Sequence, residues 1–142
     1  MSIHYLEEDR KATGFNRTVT KKWLHDIVRL EGKKPGVISY IFCSDEFLVD
    51  INIKFLKRDY YTDVISFDYT ENEVISGDIM VSVDRVKENA VNMGVVYIEE
   101  LKRIMVHGLL HLIGYKDSTK ELKAIMSSRE DFYLAMAKEE GK

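Results

Sequence analysis

Short apolar runs rich in β-branched and aromatic residues alternate with longer amphipathic stretches along the chain. The short runs are typical of buried strands, and the longer stretches are typical of helices that pack one face against a core. The sequence contains one proline, Pro35, and neither a glycine- or serine-rich linker nor an internal repeat. This pattern predicts one α+β or α/β domain over residues 1–142.

Capping residues and turn signals place the boundaries of the predicted elements. Strands are predicted over residues 2–7, 37–43, 63–69 and 77–83. The last two strands are expected to form a hairpin. The first helix is expected to have Thr18 or Thr20 as its cap and to run to about Glu31. Further helices are predicted over residues 45–57, 84–92, 97–112 and 118–138.

Three expectations concern caps and packing. Ser44 should cap the second helix, because its hydroxyl can accept from a free helical N–H. Cys43 ends an apolar run and is interpreted as a buried structural thiol. The last helix is expected to bury its apolar residues, which are Leu122, Ile125, Met126, Phe132 and Leu134.

The formal net charge of −3 limits how this chain can bind nucleic acid. A protein of this size that held RNA by bulk electrostatics would be strongly basic, so RNA binding requires a local patch. Because Cys43 is the single cysteine, an internal disulfide is excluded and a reducing cytosolic setting fits. The acidic N-terminal residues predict no signal peptide, and no apolar run approaches the ~20 residues of a membrane span.

Two histidines, His107 and His111, are four residues apart on the fourth predicted helix. This spacing puts both imidazoles on one face, where their nitrogens can converge on one ion. Asp117 lies just beyond Gly114, the predicted helix end, and could return over the pair as a third ligand. Such a set suits Zn²⁺ with a position open for water, although two histidines at this spacing could also be core residues with ordinary hydrogen bonds.

Gly108 separates this segment from a familiar peptidase motif. In H-E-x-x-H peptidases, the residue after the first histidine is the glutamate that acts as general base. Glycine has no side chain at that position, so ordinary zinc peptidase chemistry is disfavoured. Its absent side chain could also let another part of the backbone pack close to the helix.

Three segments, in matching order and spacing, resemble the YbeY family of endoribonucleases. Residues 107–117 resemble its H-G-x-L-H-L-x-G-Y-D-H signature, residues 62–67 its T-D-V-L-S-F strand and residues 77–79 its G-D-I strand start. Asn52 falls where the family has an asparagine in a helix. The resemblance implies a zincin-like α+β domain, in which a small mixed sheet packs with about five helices and the signature helix holds one metal ion, taken here as Zn²⁺.

The resemblance also implies a function. It predicts a metal-dependent, single-strand-specific endoribonuclease in 16S rRNA 3′-end maturation and ribosome quality control. The expected partners are single-stranded rRNA and the ribosomal small subunit with its proteins, in the cytoplasm and without a membrane. Two alternatives stay open: another zinc metallohydrolase, such as a peptidase, and a non-catalytic ribosome-assembly protein with a structural metal.

This sequence departs from the family pattern at one metal-ligand position and at one phosphate-binding position. Asp117 stands where the family has a third histidine, which predicts a two-histidine, one-carboxylate site that would tolerate other divalent ions better. Leu56 stands where the family commonly has an arginine. Lys57 and Arg58 follow at once, and they and Lys54 are the candidates to bind phosphate from a shifted position, or they could belong to a solvated helix end.

Further residues are candidates for roles around the metal. Asp63 could orient a ligand histidine or accept a proton, and Asp78 is a second candidate for the same roles. Capping or hairpin roles are the alternatives for both. Tyr60, Tyr61 and Tyr115 could stack on unpaired bases or serve in packing.

Overall fold

The computed structural model describes residues 2–140, and within that range four strands and five helices follow one another in the predicted order. Their order is β1 (Ser2–Glu7), α1 (Arg17–Leu30), β2 (Lys34–Cys43), α2 (Asp45–Leu56), β3 (Val64–Asp68), β4 (Val74–Ser82), α3 (Val83–Met93), α4 (Tyr97–Ile113) and α5 (Lys120–Glu140). The prediction of an α+β fold with a small mixed sheet and five helices is confirmed. None of the helices in this range combines the length and hydropathy that a transmembrane span needs.

The strands form one mixed sheet in the order β1-β2-β4-β3. β1, β2 and β4 are parallel, and β3 pairs with β4 in the antiparallel direction, which confirms the predicted hairpin. α1 crosses from β1 to β2, as a parallel connection requires. The order leaves β3 at an edge of the sheet, beside α4 and the loop that follows α2.

Strand alternation separates two layers of packing. Tyr40, Phe42, Ile79 and Val81 point to the face that belongs to the larger core with α1, α3, α4 and α5. Met80 and Ile65 point to the other face, where α2 covers a smaller cluster that includes Cys43. Cys43 is fully buried, and burial raises the pKa of its thiol to about 12, so the prediction of a structural thiol is confirmed.

The cap of α1 differs from the prediction. Asn16, rather than Thr18 or Thr20, has the extended backbone of a cap, and its Oδ1 accepts from the N–H of Val19 at 3.0 Å. Asparagine caps as well as serine and better than threonine, so the helix begins one residue before Thr18. Ser44 caps α2 as predicted, and its Oγ accepts from the N–H of Phe47 at 3.1 Å.

The buried face of α5 also differs from the prediction. Ile125 and Phe132 are 51% and 54% exposed. The buried stripe contains Met126, Glu130, Tyr133, Leu134 and Ala137. Hydrophobicity favoured the two exposed residues, whereas packing against α4 and a hydrogen bond from the Trp23 indole to the carbonyl of Tyr133 select the face with Glu130 and Tyr133.

α4 lies directly on the sheet because Gly108 has no side chain. A Cβ at Gly108 would lie 2.5 Å from the Cγ2 of Ile79 and 3.2 Å from the Oγ of Ser66. Two side chains of the sheet also donate to carbonyls of α4: Ser66 to Gly108 at 3.1 Å, and Tyr40 to Met105 at 2.9 Å. These contacts set both the depth and the rotation of α4 on the sheet.

We therefore expect Gly108→Ala to lower the free energy of unfolding, measured by urea denaturation with a chelator present. Overpacking typically costs about 1–3 kcal/mol, which exceeds the ~1 kcal/mol that alanine gains over glycine in a helix. Ile79 is fully buried and β-branched, so its methyl group has little freedom to move away.

Ala135→Gly, on the exposed side of α5, is the matched control because it measures the helix preference alone. If Gly108→Ala instead stabilised the protein by the amount that Ala135→Gly costs, α4 would not pack on Ile79 as described.

Candidate metal centre

His107 and His111 lie on the part of α4 that passes the edge strand β3. Their Nε2 atoms are 3.1 Å apart, and the two rings meet edge to face with centroids 4.7 Å apart. Both side chains are partly exposed, at 23% and 29%. The spacing of four residues therefore brings the two nitrogens to one point, as the sequence predicted.

The other ring nitrogen of each histidine has an acceptor. Nδ1 of His107 lies 2.6 Å from Oε2 of Glu130, and Nδ1 of His111 donates to the backbone carbonyl of Tyr115 at 3.1 Å. A carbonyl or carboxylate can only accept here, so Nδ1 carries the proton in both rings. Each Nε2 is left with a lone pair, which is the state in which imidazole binds a metal.

Asp117 returns to the histidine pair after the end of α4. Gly114, with φ of +123°, ends the helix, and its N–H donates to carbonyls of the last turn. Oδ2 of Asp117 then lies 3.4 Å from Nε2 of His107 and 3.5 Å from Nε2 of His111. Together the three side chains form a cluster that could hold a metal ion.

The donor set fits a tetrahedral divalent cation. Zinc bonds of about 2.0–2.1 Å at tetrahedral angles separate the donor atoms by about 3.3 Å. The three separations in this cluster are 3.1, 3.4 and 3.5 Å. Two lone pairs and a carboxylate oxygen that face one another repel, and a shared cation removes that repulsion.

Glu130 is the residue of this centre that the sequence patterns did not reveal. It is 5% exposed, and its Oε1 accepts from Nη1 of Arg103 at 3.0 Å. Burial lowers the pKa of His107, but the hydrogen bond and charge of Glu130 raise it more, so the net shift is upward. The spacing of Glu130 from Met126 and Tyr133 on one helix face was the available signal, since a glutamate in a buried stripe needs a partner.

The centre opens into a cleft of about 420 Å³ between α4, β3 and the loop after α2. The three metal-centre residues are part of its lining. The remaining lining residues are Asn52, Leu56, Arg58, Tyr60, Thr62, Asp63, Val64, Ile65, Ser66, Asp68 and Leu112. Asn52 is buried, and its Nδ2 donates to the carbonyl of Tyr60 at 3.0 Å, which holds the loop against α2.

The predicted phosphate-binding residues differ in whether they line the cleft. Arg58 lines the cleft, and its Nη1 donates to the hydroxyl of Tyr60 at 3.4 Å. Lys57 is the left-handed C-cap of α2 and is not among the lining residues. Lys54 forms an ion pair with Asp50 on the exposed side of α2. Within the described chain, Arg58 is therefore the lysine or arginine that lines the cleft.

Of the two candidate aspartates, one lines the cleft and the other does not. Asp63 lines the cleft, and its Oδ2 accepts from Nδ2 of Asn89 at 3.1 Å, while the same Nδ2 lies 3.4 Å from the buried Glu100. Because Glu130 and the carbonyl of Tyr115 are the partners of the two histidines, Asp63 orients neither of them, and its role as a proton acceptor stays a prediction. Asp78 accepts from the hydroxyl of Tyr69 and does not line the cleft.

Only one of the three candidate tyrosines lines the cleft of the described chain. Tyr60 does so, with half of its surface exposed. Tyr61 instead lies under the guanidinium of Arg85, 5.3 Å from the ring centre. The hydroxyl of Tyr115 donates to Glu31 at 2.6 Å. Tyr61 and Tyr115 therefore lie outside the cleft lining, each in contact with another side chain of the protein.

Comparisons with known protein sequences give one family name. The family profile described as endoribonuclease YbeY matches residues 4–138. An endoribonuclease YbeY from Parabacteroides distasonis is 43% identical over 140 residues, which is 99% of each chain. Another from Flavobacterium johnsoniae is 48% identical over 121 residues, 85% of this chain and 87% of that one.

A solved structure shares the fold. The solution structure of a Thermotoga maritima protein superposes with a TM-score of 0.68 at 27% identity, over 95% of this chain and 88% of the other. Profile, relatives and structure each extend over most of the chain, well beyond the segment around the histidines. The chain belongs to the YbeY family of endoribonucleases.

Proposed function

We propose that this chain is a single-domain, metal-dependent endoribonuclease that cleaves single-stranded RNA in 16S rRNA 3′-end maturation and ribosome quality control. The observation that carries the proposal is the convergence of two Nε2 atoms and one carboxylate oxygen in a cleft that is also lined by an arginine and a tyrosine. Relatives of nearly full coverage that bear the name endoribonuclease support the same reaction.

His107, His111 and Asp117 would hold the metal, which we assign as one Zn²⁺ ion. When bound, the ion would polarise a phosphate oxygen and lower the pKa of a water molecule toward ~7. Glu130 and the carbonyl of Tyr115 keep the two imidazoles in the tautomer and orientation that the site requires. Two nitrogens and one oxygen suit zinc, and the carboxylate also accommodates harder divalent ions.

The residues along the cleft act on the RNA itself. Arg58 binds the phosphate and neutralises charge that develops on it during cleavage. The exposed ring of Tyr60 stacks on an unpaired base, and the buried Asn52 holds that ring in place through the carbonyl of Tyr60. Asp63 accepts a proton, since it lines the cleft outside the ligand set.

The biological setting follows from the same features. A chain with a net charge of −3 relies on Arg58 and the metal for local attraction, so we propose that contacts with the ribosomal small subunit and its proteins help to deliver rRNA. A cytoplasmic enzyme is consistent with an rRNA substrate and with a buried free thiol.

A peptidase is less consistent with the site. The position of its usual general base is Gly108, and the backbone there packs on Ile79 and Ser66. A purely structural metal is also less consistent with it, because the three side chains face an open cleft.

We expect His111→Ala to abolish stoichiometric zinc binding and single-stranded RNA cleavage, since it removes one of the two convergent nitrogens. Zinc content is measured by plasma emission after purification without added metal, and folding by circular dichroism. His4→Ala, on the exposed side of β1, should keep both metal and activity. Full zinc content in the folded His111→Ala protein would refute the metal site.

Asp117→His should keep zinc and bind it as tightly or more tightly, because imidazole is a good zinc ligand and the family has histidine at this position. Competition with a chromophoric chelator measures the affinity. Clear loss of zinc from a folded Asp117→His protein would mean that the side chain at this position does not reach the ion.

Arg58→Ala should lower kcat/KM for single-stranded RNA by about 10- to 100-fold, since a hydrogen bond to a charged group contributes about 1.5–3 kcal/mol. Lys57→Ala is the matched control and should change kcat/KM only a few-fold, because that residue does not line the cleft. Zinc content should stay unchanged in both. An equal or larger loss of kcat/KM in Lys57→Ala would show that the assignment of the phosphate contact to Arg58 is wrong.

A further inference from the structure

Glu31 ends α1 in an environment that disfavours a carboxylate. It is the C-cap of the helix, where the helix dipole repels negative charge, and its side chain is only 9% exposed. Three donors offset this cost. The hydroxyls of Tyr115 and Tyr133 and Nη2 of Arg129 all donate to the Glu31 carboxylate. Burial raises the pKa of Glu31, but these hydrogen bonds lower it overall.

Tyr115 connects this buried carboxylate to the metal centre. Its hydroxyl donates to Glu31 at 2.6 Å, and its backbone carbonyl accepts from Nδ1 of His111 at 3.1 Å. Its N–H donates to the carbonyl of Leu110 at 3.0 Å. The residue is therefore held at its side chain, its carbonyl and its N–H, two residues before Asp117.

The donors to Glu31 come from two different parts of the chain. Tyr115 lies in the loop that carries Asp117, whereas Arg129 and Tyr133 lie on α5. Arg129 also immediately precedes Glu130, the partner of His107. Among the three donors, only Tyr115 contacts His111 directly and lies in the loop with the third ligand, Asp117.

We propose that Glu31 is a positioning residue for the metal centre, acting through Tyr115 on the orientation of His111 and on the loop with Asp117. The inference rests on the proposed metal site but not on the identity of the substrate. Removal of the Tyr115 hydroxyl would remove one of the three contacts that hold this residue, and the carbonyl would hold the His111 ring less well. Loss of a ligand's direct hydrogen-bond partner typically weakens metal affinity 10- to 100-fold, and we expect loss of the support for that partner to give the lower end of this range.

Tyr115→Phe tests the proposal with the full chain, because it removes one hydroxyl and keeps the ring and the backbone carbonyl. Affinity for Zn²⁺ is measured by chelator competition, and Co²⁺ substitution reports ligand geometry through its visible absorption. We expect Zn²⁺ binding about 10-fold weaker than in the unaltered protein, with a changed Co²⁺ spectrum.

Tyr133→Phe is the matched control, since it removes another hydroxyl from the same carboxylate without touching the loop. It should lower the unfolding midpoint yet leave the Zn²⁺ affinity within about threefold and the Co²⁺ spectrum unchanged, because the Tyr133 hydroxyl contacts neither the loop with Asp117 nor the pair of Glu130 and His107. Glu31→Gln should weaken Zn²⁺ binding, and adding Tyr115→Phe to it should have little further effect, since both changes break one connection.

Unchanged Zn²⁺ affinity in Tyr115→Phe, or equal weakening in the two phenylalanine variants, would overturn the proposal. Unaltered protein that binds Zn²⁺ but does not cleave RNA would refute the proposed function and leave this inference standing. Unaltered protein that binds no Zn²⁺ would overturn both.

Discussion

The contact between α4 and the sheet at Gly108 determines where the rest of the site can form. With no side chain at this position, the helix lies against Ile79 and Ser66 of the two hairpin strands. The residues on either side of the contact then have defined directions, and His107 and His111 extend past the edge strand β3 into the cleft. A helix held further from the sheet would carry the same histidines to a different place.

The orientation of the two imidazoles depends on parts of the chain that are remote in sequence. Glu130 comes from α5, and Arg103 of α4 compensates its buried charge. The acceptor for His111 is a neutral carbonyl four residues along the chain. The two ligand nitrogens therefore differ: the imidazole beside a buried carboxylate is the stronger electron donor to a cation.

Local patterns predicted the parts of this molecule whose causes are local. The order of elements, the hairpin and the convergence of His107 and His111 all follow from residue spacing. The exposed Ile125 and Phe132 and the role of Glu130 do not, because the face of α5 that meets α4 is chosen by tertiary packing. The difference between Arg58 and Lys57 depends on one left-handed residue at the end of α2, which composition does not reveal.

The use of a backbone carbonyl to orient His111 has an evolutionary consequence. Substitution changes side chains but cannot remove a main-chain oxygen, so an acceptor for His111 stays present wherever the backbone at this position keeps its place. The third ligand can then drift between histidine and aspartate without disturbing the tautomer of its neighbour. Members of one family could in this way change their metal preference by a single amino-acid substitution, while the fold that positions the other ligands stays the same.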